Sequence, residues 1–325
     1  MKPSRSTVLV TGASGFVGRA VVKRLARDGY DVRAASRRAM VGVPETIKVV
    51  HGIDLTPDFD WDPVVAGCQS IVHAAARVHV MKESASDPLS EFRRVNVAGT
   101  IALAQSAARA GVSRFVFISS VKVNGEQTAP GRPYKASDKP GPEDPYGVSK
   151  QEAEAELRAL GAKTGMEIVC IRPALVYGAG VKANFLAMMR VLARGIPLPL
   201  GAVSNKRSLV GIDNLVDLIA VCLEHPDAAG KTLLVSDGED LSTTELLVRT
   251  AAALGRRARL IPVPQWALQL GARVVGKPQI ARRLLGSLQV DIGGTRKALG
   301  WTPPFSVDQQ LQSTADWFLT ERAGR

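Results

Sequence analysis

A glycine-rich turn near the amino terminus constrains the fold of this 325-residue chain more than any other feature. It occupies residues 11–18, between a β-rich run at 7–11 and a run at 16–28 with helical spacing. At such a helix N-terminus, unpaired backbone N–H groups and the helix dipole favour a pyrophosphate, and glycines permit its close approach. The turn therefore predicts a dinucleotide site. Its predicted contacts are Gly12, Ser14, Gly15, Phe16, Val17 and Gly18.

Strand and helix patterns alternate up to about residue 175. β-rich runs at 31–36, 48–51, 70–74, 114–119 and 167–172 are separated by helical patterns, the longest at 87–110 and 145–160. Parallel strands need crossover connections, so this order predicts an α/β fold with a doubly wound, Rossmann-type parallel sheet. Ligands of such sheets bind beyond the carboxyl ends of the strands.

Prolines divide the second half of the chain into shorter pieces. They separate helical patterns such as 213–224 and 242–254. We therefore expect residues 1–178 to form an NAD(P)-binding Rossmann domain. Residues 179–325 are expected to form mainly a smaller substrate-binding lobe, with some segments returning to the first domain.

The formal net charge of +12 favours an anionic partner. The basic residues occur as scattered pairs with few aromatic residues between them, unlike a surface that stacks nucleic-acid bases. We therefore expect a phosphorylated small molecule rather than nucleic acid. The pairs lie at 37–38, 206–207, 256–257 and 282–283.

Three cysteines and four histidines lack the spacing of a disulfide framework or a metal site, so neither is predicted. The sequence shows no targeting segment and no apolar run of about 18 residues. We expect a cytoplasmic protein without an integral membrane segment. The segment 266–288, rich in Leu, Val, Arg and Lys, either packs within the second lobe or lies on a membrane surface.

The tip of the second predicted strand reads Ala35-Ser-Arg-Arg38. A carboxylate at this place would bind the ribose 2′-hydroxyl of NAD, whereas guanidinium groups match a 2′-phosphate. Arg37 and Arg38 therefore favour NADP(H) over NAD, unless they are solvated surface charges. Asp54 and Leu55, after the third strand, are candidates for an adenine contact, although a plain turn aspartate fits as well.

Tyr146 and Lys150 lie four residues apart at the start of a predicted helix and so share a face. A nearby ammonium group favours the phenolate, which would bring the tyrosine into range for acid–base chemistry. Taken alone, this spacing also fits a helix-surface pair. Ser120 follows the fifth strand, at the rim where such sheets bind ligands, and its hydroxyl is placed to hold a carbonyl oxygen.

With these motifs in this order, the chain resembles the extended short-chain dehydrogenase/reductases over nearly its whole length. The resemblance is carried by the glycine loop, His73-Ala-Ala-Ala76, Asn96-Val-Ala-Gly-Thr100, Ser119-Ser120, Tyr146/Lys150, Arg172-Pro173, Val176-Tyr-Gly178 and Leu299-Gly-Trp-Thr-Pro303. It implies that Ser120, Tyr146 and Lys150 are the catalytic triad and that Asn96 supports the site. It also implies that Lys150 clamps the nicotinamide ribose. Further cofactor contacts are expected from Ala74, Ala75, Ala76 and Pro173.

The second half resembles the nucleotide-sugar branch of this family, which implies a UDP-sugar substrate. By that resemblance Arg207 would bind the pyrophosphate and Asn184 would supply a substrate-side amide. Alternatively, Arg207 is a surface charge and Asn184 a helix cap. The other candidate substrate contacts are His79, Ser120, Asn124, Tyr146 and Tyr177.

Two departures separate the chain from 4-epimerases and 4,6-dehydratases of this branch. Those enzymes usually carry an acidic residue where Arg37 stands, and Val-Tyr-Gly where Val123-Asn-Gly125 stands. The pattern resembles bacterial 4-ketoreductases of surface-polysaccharide synthesis. Such enzymes use NADPH to reduce UDP-4-keto-6-deoxy-N-acetylhexosamine to UDP-N-acetylquinovosamine or UDP-N-acetylfucosamine. The alternatives are a UDP-sugar 4-epimerase with tightly held NAD(P) and a non-catalytic nucleotide-binding protein.

The resemblance also implies a homodimer through the helices at 87–110 and 145–160.

Overall fold

A parallel sheet forms the framework of the protein. The computed structural model describes residues 6–40, 42–78, 87–276 and 278–323. The strands are β1 (Thr7–Thr11), β2 (Asp31–Ala35), β3 (Lys48–Val50), β4 (Ser70–His73), β5 (Arg114–Ile118), β6 (Glu167–Pro173), β7 (Leu175–Tyr177), β8 (Arg207–Gly211), β9 (Thr232–Val235) and β10 (Asp240–Leu241). Seven strands pair in parallel in the order β3-β2-β1-β4-β5-β6-β9. The predicted Rossmann-type α/β sheet is thus confirmed.

Helices cover both faces of this sheet. The α-helices in the described part of the chain, some of which lie outside this sheet, are α1 (Phe16–Asp28), α2 (Asp62–Val65), α3 (Pro88–Phe92), α4 (Gly99–Arg109), α5 (Pro145–Thr164), α6 (Ala183–Ala193), α7 (Ile212–Glu224), α8 (Thr243–Ala253), α9 (Gln265–Val274), α10 (Pro278–Leu285), α11 (Gly293–Leu299) and α12 (Val307–Ala323). The core on one face includes Val21 of α1 and Leu215 of α7. The core on the other includes Leu103 of α4 and Leu157 of α5.

The predicted single helix at 87–110 is divided into three segments. A π-helix, Arg93–Ala98, lies between α3 and α4. Wider turns of this kind are rare and often occur at functional sites. Here the π-helix carries the buried Asn96.

The second half of the chain contributes to both parts of the molecule. β9 extends the main sheet beside β6, and α7 lies against α1, where Arg24 pairs with Asp217 at 2.8 Å. The small sheet β10-β8-β7 packs with α6, α8 and α12 around Tyr177 and Phe185. The three cysteines are buried. Over the described residues, no helix has the length and apolarity needed to cross a membrane.

Candidate active site

A crevice for a nucleotide forms where the strand order reverses. β2 and β3 lie on one side of β1, and β4, β5 and β6 lie on the other. The glycine turn after β1 lies against the backbone after β4, because a Cβ atom at Gly12 would come within 2.7 Å of the Ala75 nitrogen. A Cβ atom at Gly18 would lie 2.1 Å from the Gly12 carbonyl oxygen. A side chain at either position would therefore clash with the backbone, so the turn needs glycine at both.

The first turn of α1 fits a pyrophosphate. Among the described residues, no side chain caps this helix, whose N-cap is Gly15. Ser14 and Gly15 are exposed, and Phe16 and Val17 are half-buried. The backbone N–H groups at the start of α1 therefore remain open to an anion, as a dinucleotide cofactor requires.

A buried histidine joins the ends of β1 and β4 beside this crevice. Nδ1 of His73 lies 2.7 Å from Oγ1 of Thr11, and Nε2 lies 3.0 Å from Oγ1 of Thr100 in α4. Burial, with a smaller effect from the nearby Lys150, lowers the pKa of His73 to about 3. His73 is therefore a neutral brace rather than an acid–base group near pH 7.

The tip of β2 presents two exposed arginines. Across the part of the chain that the structure describes, neither Arg37 nor Arg38 pairs with a carboxylate. Oγ of Ser36 hydrogen-bonds to the carbonyl oxygen of Arg38, which fixes the backbone of the tip. Asp54 is exposed, whereas Leu55 is buried.

The first turn of α5 brings Tyr146 to the loop that carries Ser120. Asp144 caps this helix by accepting a hydrogen bond from the Gly147 nitrogen at 2.7 Å. A Cβ atom at Gly147 would lie 2.9 Å from the carbonyl oxygen of Lys122, so glycine permits the close approach. Ser120 caps the short 3₁₀ turn Val121–Val123 by accepting from the Lys122 nitrogen at 3.2 Å.

Lys150 follows Tyr146 by four residues along α5 and is only 2% exposed. Its Nζ donates to the carbonyl oxygen of Ile118 at 2.8 Å and lies 4.2 Å from the centre of the Phe117 ring. Burial lowers the pKa of Lys150 to about 7. The ammonium group can therefore lose or gain a proton close to neutral pH.

The pKa of Tyr146 moves opposite to the sequence expectation. Burial, with a smaller contribution from Asp144, raises it above the ordinary value of 10. The expected lowering by Lys150 is not found: burial removes the hydration of the phenolate, and the charge that acts on it is that of Asp144, which also raises the pKa. Tyr146 is therefore protonated at neutral pH, in the state required of a proton donor.

Asn96 supports the start of α5. Its Oδ1 accepts from the Arg77 nitrogen at 2.8 Å, and its Nδ2 donates to Oγ of Ser149 at 3.0 Å. That hydroxyl in turn donates to the carbonyl oxygen of Tyr146 at 2.8 Å. The π-helix thus places an amide where it holds the backbone of the tyrosine.

A buried ion pair joins α5 to β6 beside Ser119 and was not anticipated. Arg172 donates to both carboxylate oxygens of Glu154, at 2.8 and 2.6 Å, and Ser119 donates to Glu154 at 2.6 Å. Glu154 is 0% exposed, and these bonds keep its pKa low despite burial. Its position four residues after Lys150, on the same helix face, was the available signal.

The candidate substrate contacts divide into buried and accessible groups. Asn124 and Tyr177 are buried, and their polar atoms bond to Arg172, the Lys135 carbonyl oxygen and Asp237. Their placement argues against direct contact with a substrate, because these bonds already satisfy the side chains. Pro173 is also buried, at the end of β6.

Asn184 is exposed, Arg207 is half-buried, and His79 lies outside the described residues. Nη1 of Arg207 donates to the carbonyl oxygens of Arg283 and Gly286, at 3.1 and 3.0 Å. Burial lowers the pKa of Arg207 somewhat. Asn184 is exposed in the first turn of α6, whose N-cap is Lys182.

Comparison with known proteins agrees with this geometry. The NAD dependent epimerase/dehydratase family matches residues 8–236. A UDP-glucose 4-epimerase of Vibrio cholerae is 47% identical over 96% of this chain and 95% of its own length. A 3-beta-hydroxysteroid dehydrogenase of Mycolicibacterium neoaurum is 29% identical over 96% of this chain and 91% of its own length. The solved structure of MoeE5 in complex with UDP-glucose and NAD has a TM-score of 0.77 and 25% identity, covering 98% of this chain and 100% of that one. The chain therefore belongs to the NAD dependent epimerase/dehydratase family of extended short-chain dehydrogenase/reductases.

Proposed function

We propose that this enzyme transfers hydride at C4 of a UDP-linked hexose, and that its net reaction is the reduction of a 4-keto sugar by NADPH. The observation that carries the proposal is the arrangement of the triad. The first turn of α5, with Tyr146, lies against the Ser120 loop at the edge of the sheet where the nucleotide crevice opens. Lys150, four residues further along α5, is buried. A carbonyl group held at this edge meets a protonated phenol and a hydroxyl together.

The side chains of the triad have separate tasks in this reaction. Tyr146 gives its proton to the sugar oxygen, and Ser120 donates a hydrogen bond to the same oxygen as negative charge develops there. Lys150, whose pKa lies near 7, is matched to return a proton to Tyr146 at neutral pH. The bound nicotinamide supplies the hydride. Asn96 and the Glu154–Arg172 pair hold α5 and β6 in fixed positions around the triad.

Arg37 and Arg38 support NADP(H) as the cofactor. They are exposed at the tip of β2, beside the crevice, and no carboxylate stands at residues 35–38. A dianionic 2′-phosphate would gain charge-assisted bonds there, whereas NAD would find no acceptor for its 2′-hydroxyl. MoeE5, by comparison, was solved with NAD.

The substrate that we propose is UDP-4-keto-6-deoxy-N-acetylhexosamine, reduced to UDP-N-acetylquinovosamine or UDP-N-acetylfucosamine. The UDP moiety is supported by the likeness to MoeE5, whose solved structure contains UDP-glucose. Arg207 is the residue that we propose for the pyrophosphate and Asn184 for the sugar-side amide contact. Reduction, rather than epimerisation, is favoured by Arg37 in the place of an acidic residue and by Asn124 in the place of a tyrosine.

The second candidate is a UDP-sugar 4-epimerase, favoured by the 47% identity to the Vibrio cholerae protein. An epimerase would use Ser120, Tyr146 and Lys150 in the same positions. It would oxidise C4 and then return the same hydride, so its cofactor would stay bound and unchanged over a cycle.

An isotope experiment tests the proposal. The purified enzyme is given the UDP-4-keto sugar and NADPH that carries deuterium at the transferable C4 position. We expect one deuterium at C4 of the sugar product, seen by mass spectrometry and proton NMR. Unlabelled product, or turnover of the keto sugar without use of external NADPH, would contradict reduction by released cofactor.

A further inference from the structure

A long stretch of the second half carries only positive charge. Residues 246–290 contain eight basic residues and no Asp or Glu. Their formal net charge is therefore +8 (8 − 0), against +12 for the whole chain. The basic residues are Arg249, Arg256, Arg257, Arg259, Arg273, Lys277, Arg282 and Arg283. In the described ranges, Arg256, Arg257, Arg259 and Arg273 are exposed and pair with no carboxylate. This part of the surface is therefore strongly cationic.

The same stretch exposes an apolar helix face. Trp266, Leu270 and Val274 follow one another at intervals of four residues along α9 and are 69%, 56% and 80% exposed. No residue of α9 is buried. Of the thirteen exposed large hydrophobic residues described, six fall between 261 and 284. A row of this kind is unusual, since exposed apolar residues normally occur singly.

This surface adjoins the active-site rim. Arg282 of α10 pairs with Glu143 at 3.1 Å, next to the residue that caps α5. The backbone carbonyl of Arg283 accepts from Arg207 at 3.1 Å. The face of α9 and the loop before Tyr146 are thus linked through α10.

We propose that the basic apolar surface, formed by α9 together with Arg256, Arg257, Arg259 and Arg273, docks on an anionic phospholipid bilayer. The α9 row would enter the headgroup boundary while the arginines bind lipid phosphates, as in interfacial amphipathic helices. With 10 residues, α9 is too short to span a bilayer. A second copy of the same surface is disfavoured because two faces without an acidic residue repel each other.

The test is co-sedimentation of the full-length protein with phospholipid vesicles, without substrate. Vesicles of phosphatidylcholine with about 30% phosphatidylglycerol are compared with phosphatidylcholine alone. We expect binding to the anionic vesicles, at least ~10-fold weaker binding to the neutral ones, and a blue shift of tryptophan fluorescence. Trp266→Phe should keep the binding and lose most of the shift, because Trp61 and Trp301 are buried and Trp317 is half-buried against the core of the second lobe.

Matched variants separate this surface from general stickiness. Trp266→Ser/Leu270→Ser should weaken vesicle binding ~10-fold or more, and Arg256→Glu/Arg257→Glu by roughly 5-fold for each arginine lost. The control, Val248→Ser/Leu319→Ser, removes two hydrophobic residues of 48% and 43% exposure on other helices and should bind as the unmodified protein does. Circular dichroism checks that each variant is folded.

The proposal is overturned if the unmodified protein does not sediment with anionic vesicles. It is also overturned if folded Trp266→Ser/Leu270→Ser binds as well as the control. Binding to a soluble acidic polypeptide without binding to vesicles would indicate a protein partner and contradict a bilayer. Because no step requires turnover, these outcomes are independent of the reaction that the enzyme catalyses.

Discussion

Nζ of Lys150 lies 2.8 Å from the carbonyl oxygen of Ile118, the last residue of β5. The bond ties the helix that carries Tyr146 to the strand that leads into Ser120. It also places an ammonium group in a position only 2% exposed, over the ring of Phe117. Lys150 is therefore both a connection between two elements and a charge that the folded protein holds at an energetic cost.

The pH dependence of stability should report this cost. Burial lowers the pKa of Lys150 from 10.5 to about 7. Between these values the unfolded chain binds more protons than the folded one, so the contribution of Lys150 to the free energy of unfolding rises with pH. Below pH 7 the folded protein bears the full cost of the buried charge. Lys150→Met should therefore be most favourable relative to the unmodified protein at pH 6, and lose about 2–3 kcal/mol of that advantage between pH 7 and 9.

Urea unfolding at pH 6, 7, 8 and 9 measures the difference between the two proteins. Lys163→Met is the matched control, because Lys163 is exposed near the end of the same helix. Its effect should not change with pH. A pH-independent difference for Lys150→Met would show that the lysine keeps an ordinary pKa.

Replacing Tyr146 by phenylalanine should remove the proton donor. We expect turnover to fall by ~10²–10⁴-fold, with the cofactor dissociation constant changed less than about 3-fold. Tyr30→Phe is the control, because Tyr30 bonds to Glu224 away from the crevice. It should retain nearly full activity. Near-normal turnover of Tyr146→Phe, measured at substrate saturation, would assign the proton transfer to another group.

The buried pair of Arg172 and Glu154 should be costly to break. Arg172→Met leaves a carboxylate that is 0% exposed without its main partner, and we expect a loss of about 3–5 kcal/mol in the free energy of unfolding. Arg93→Met also breaks a pair with α5, to Glu152 at 2.6 Å, but the arginine of this pair is exposed, so its loss should change the free energy of unfolding far less. Glu154→Leu/Arg172→Leu should recover much of the loss, because no charge remains buried. Equal losses for the two single variants in urea unfolding would contradict this account.

Arg37 and Arg38 should determine the choice of cofactor. We expect the protein to bind NADPH at least ~10-fold more tightly than NADH, since a charge-assisted contact contributes about 1.5–3 kcal/mol. Arg37→Ala/Arg38→Ala should abolish the preference in a fluorescence titration. Arg256→Ala/Arg257→Ala, an exposed pair in the other lobe, should leave it unchanged. Equal affinities in the unmodified protein would identify the β2 pair as solvated surface charge.

Local signals predicted the nucleotide half of the fold well. α1 has the predicted bounds because Gly15 and Gly29 flank it, the latter in the left-handed conformation with φ of 93°. The strands of the main sheet up to β6 agree with the predicted runs within one residue at each end. β7, β9 and β10 were not predicted, since strands of three, four and two residues depend on their pairing partners rather than on pattern.

The site was less predictable where side chains act through distant partners. No residue pattern around Asn96 marks the π-helix, so the sequence predicts a single helix over 87–110. Tyr177 and Asn124 were predicted as substrate contacts, but tertiary contacts with Asp237 and Arg172 occupy both side chains. The raised pKa of Tyr146 could not be read from its spacing to Lys150, because burial and the charge of Asp144 set it.

The stoichiometry of the cofactor tests the central claim most directly. A reductase releases oxidised cofactor after each cycle, whereas an epimerase returns the hydride to its own intermediate. With a UDP-4-keto-6-deoxy-N-acetylhexosamine, we expect the NADPH absorbance at 340 nm to fall by about one equivalent for each sugar product formed. UDP-N-acetylglucosamine should give no C4 epimer. Interconversion of UDP-N-acetylglucosamine and UDP-N-acetylgalactosamine without net consumption of cofactor would contradict the reductase and assign the same triad to an epimerase.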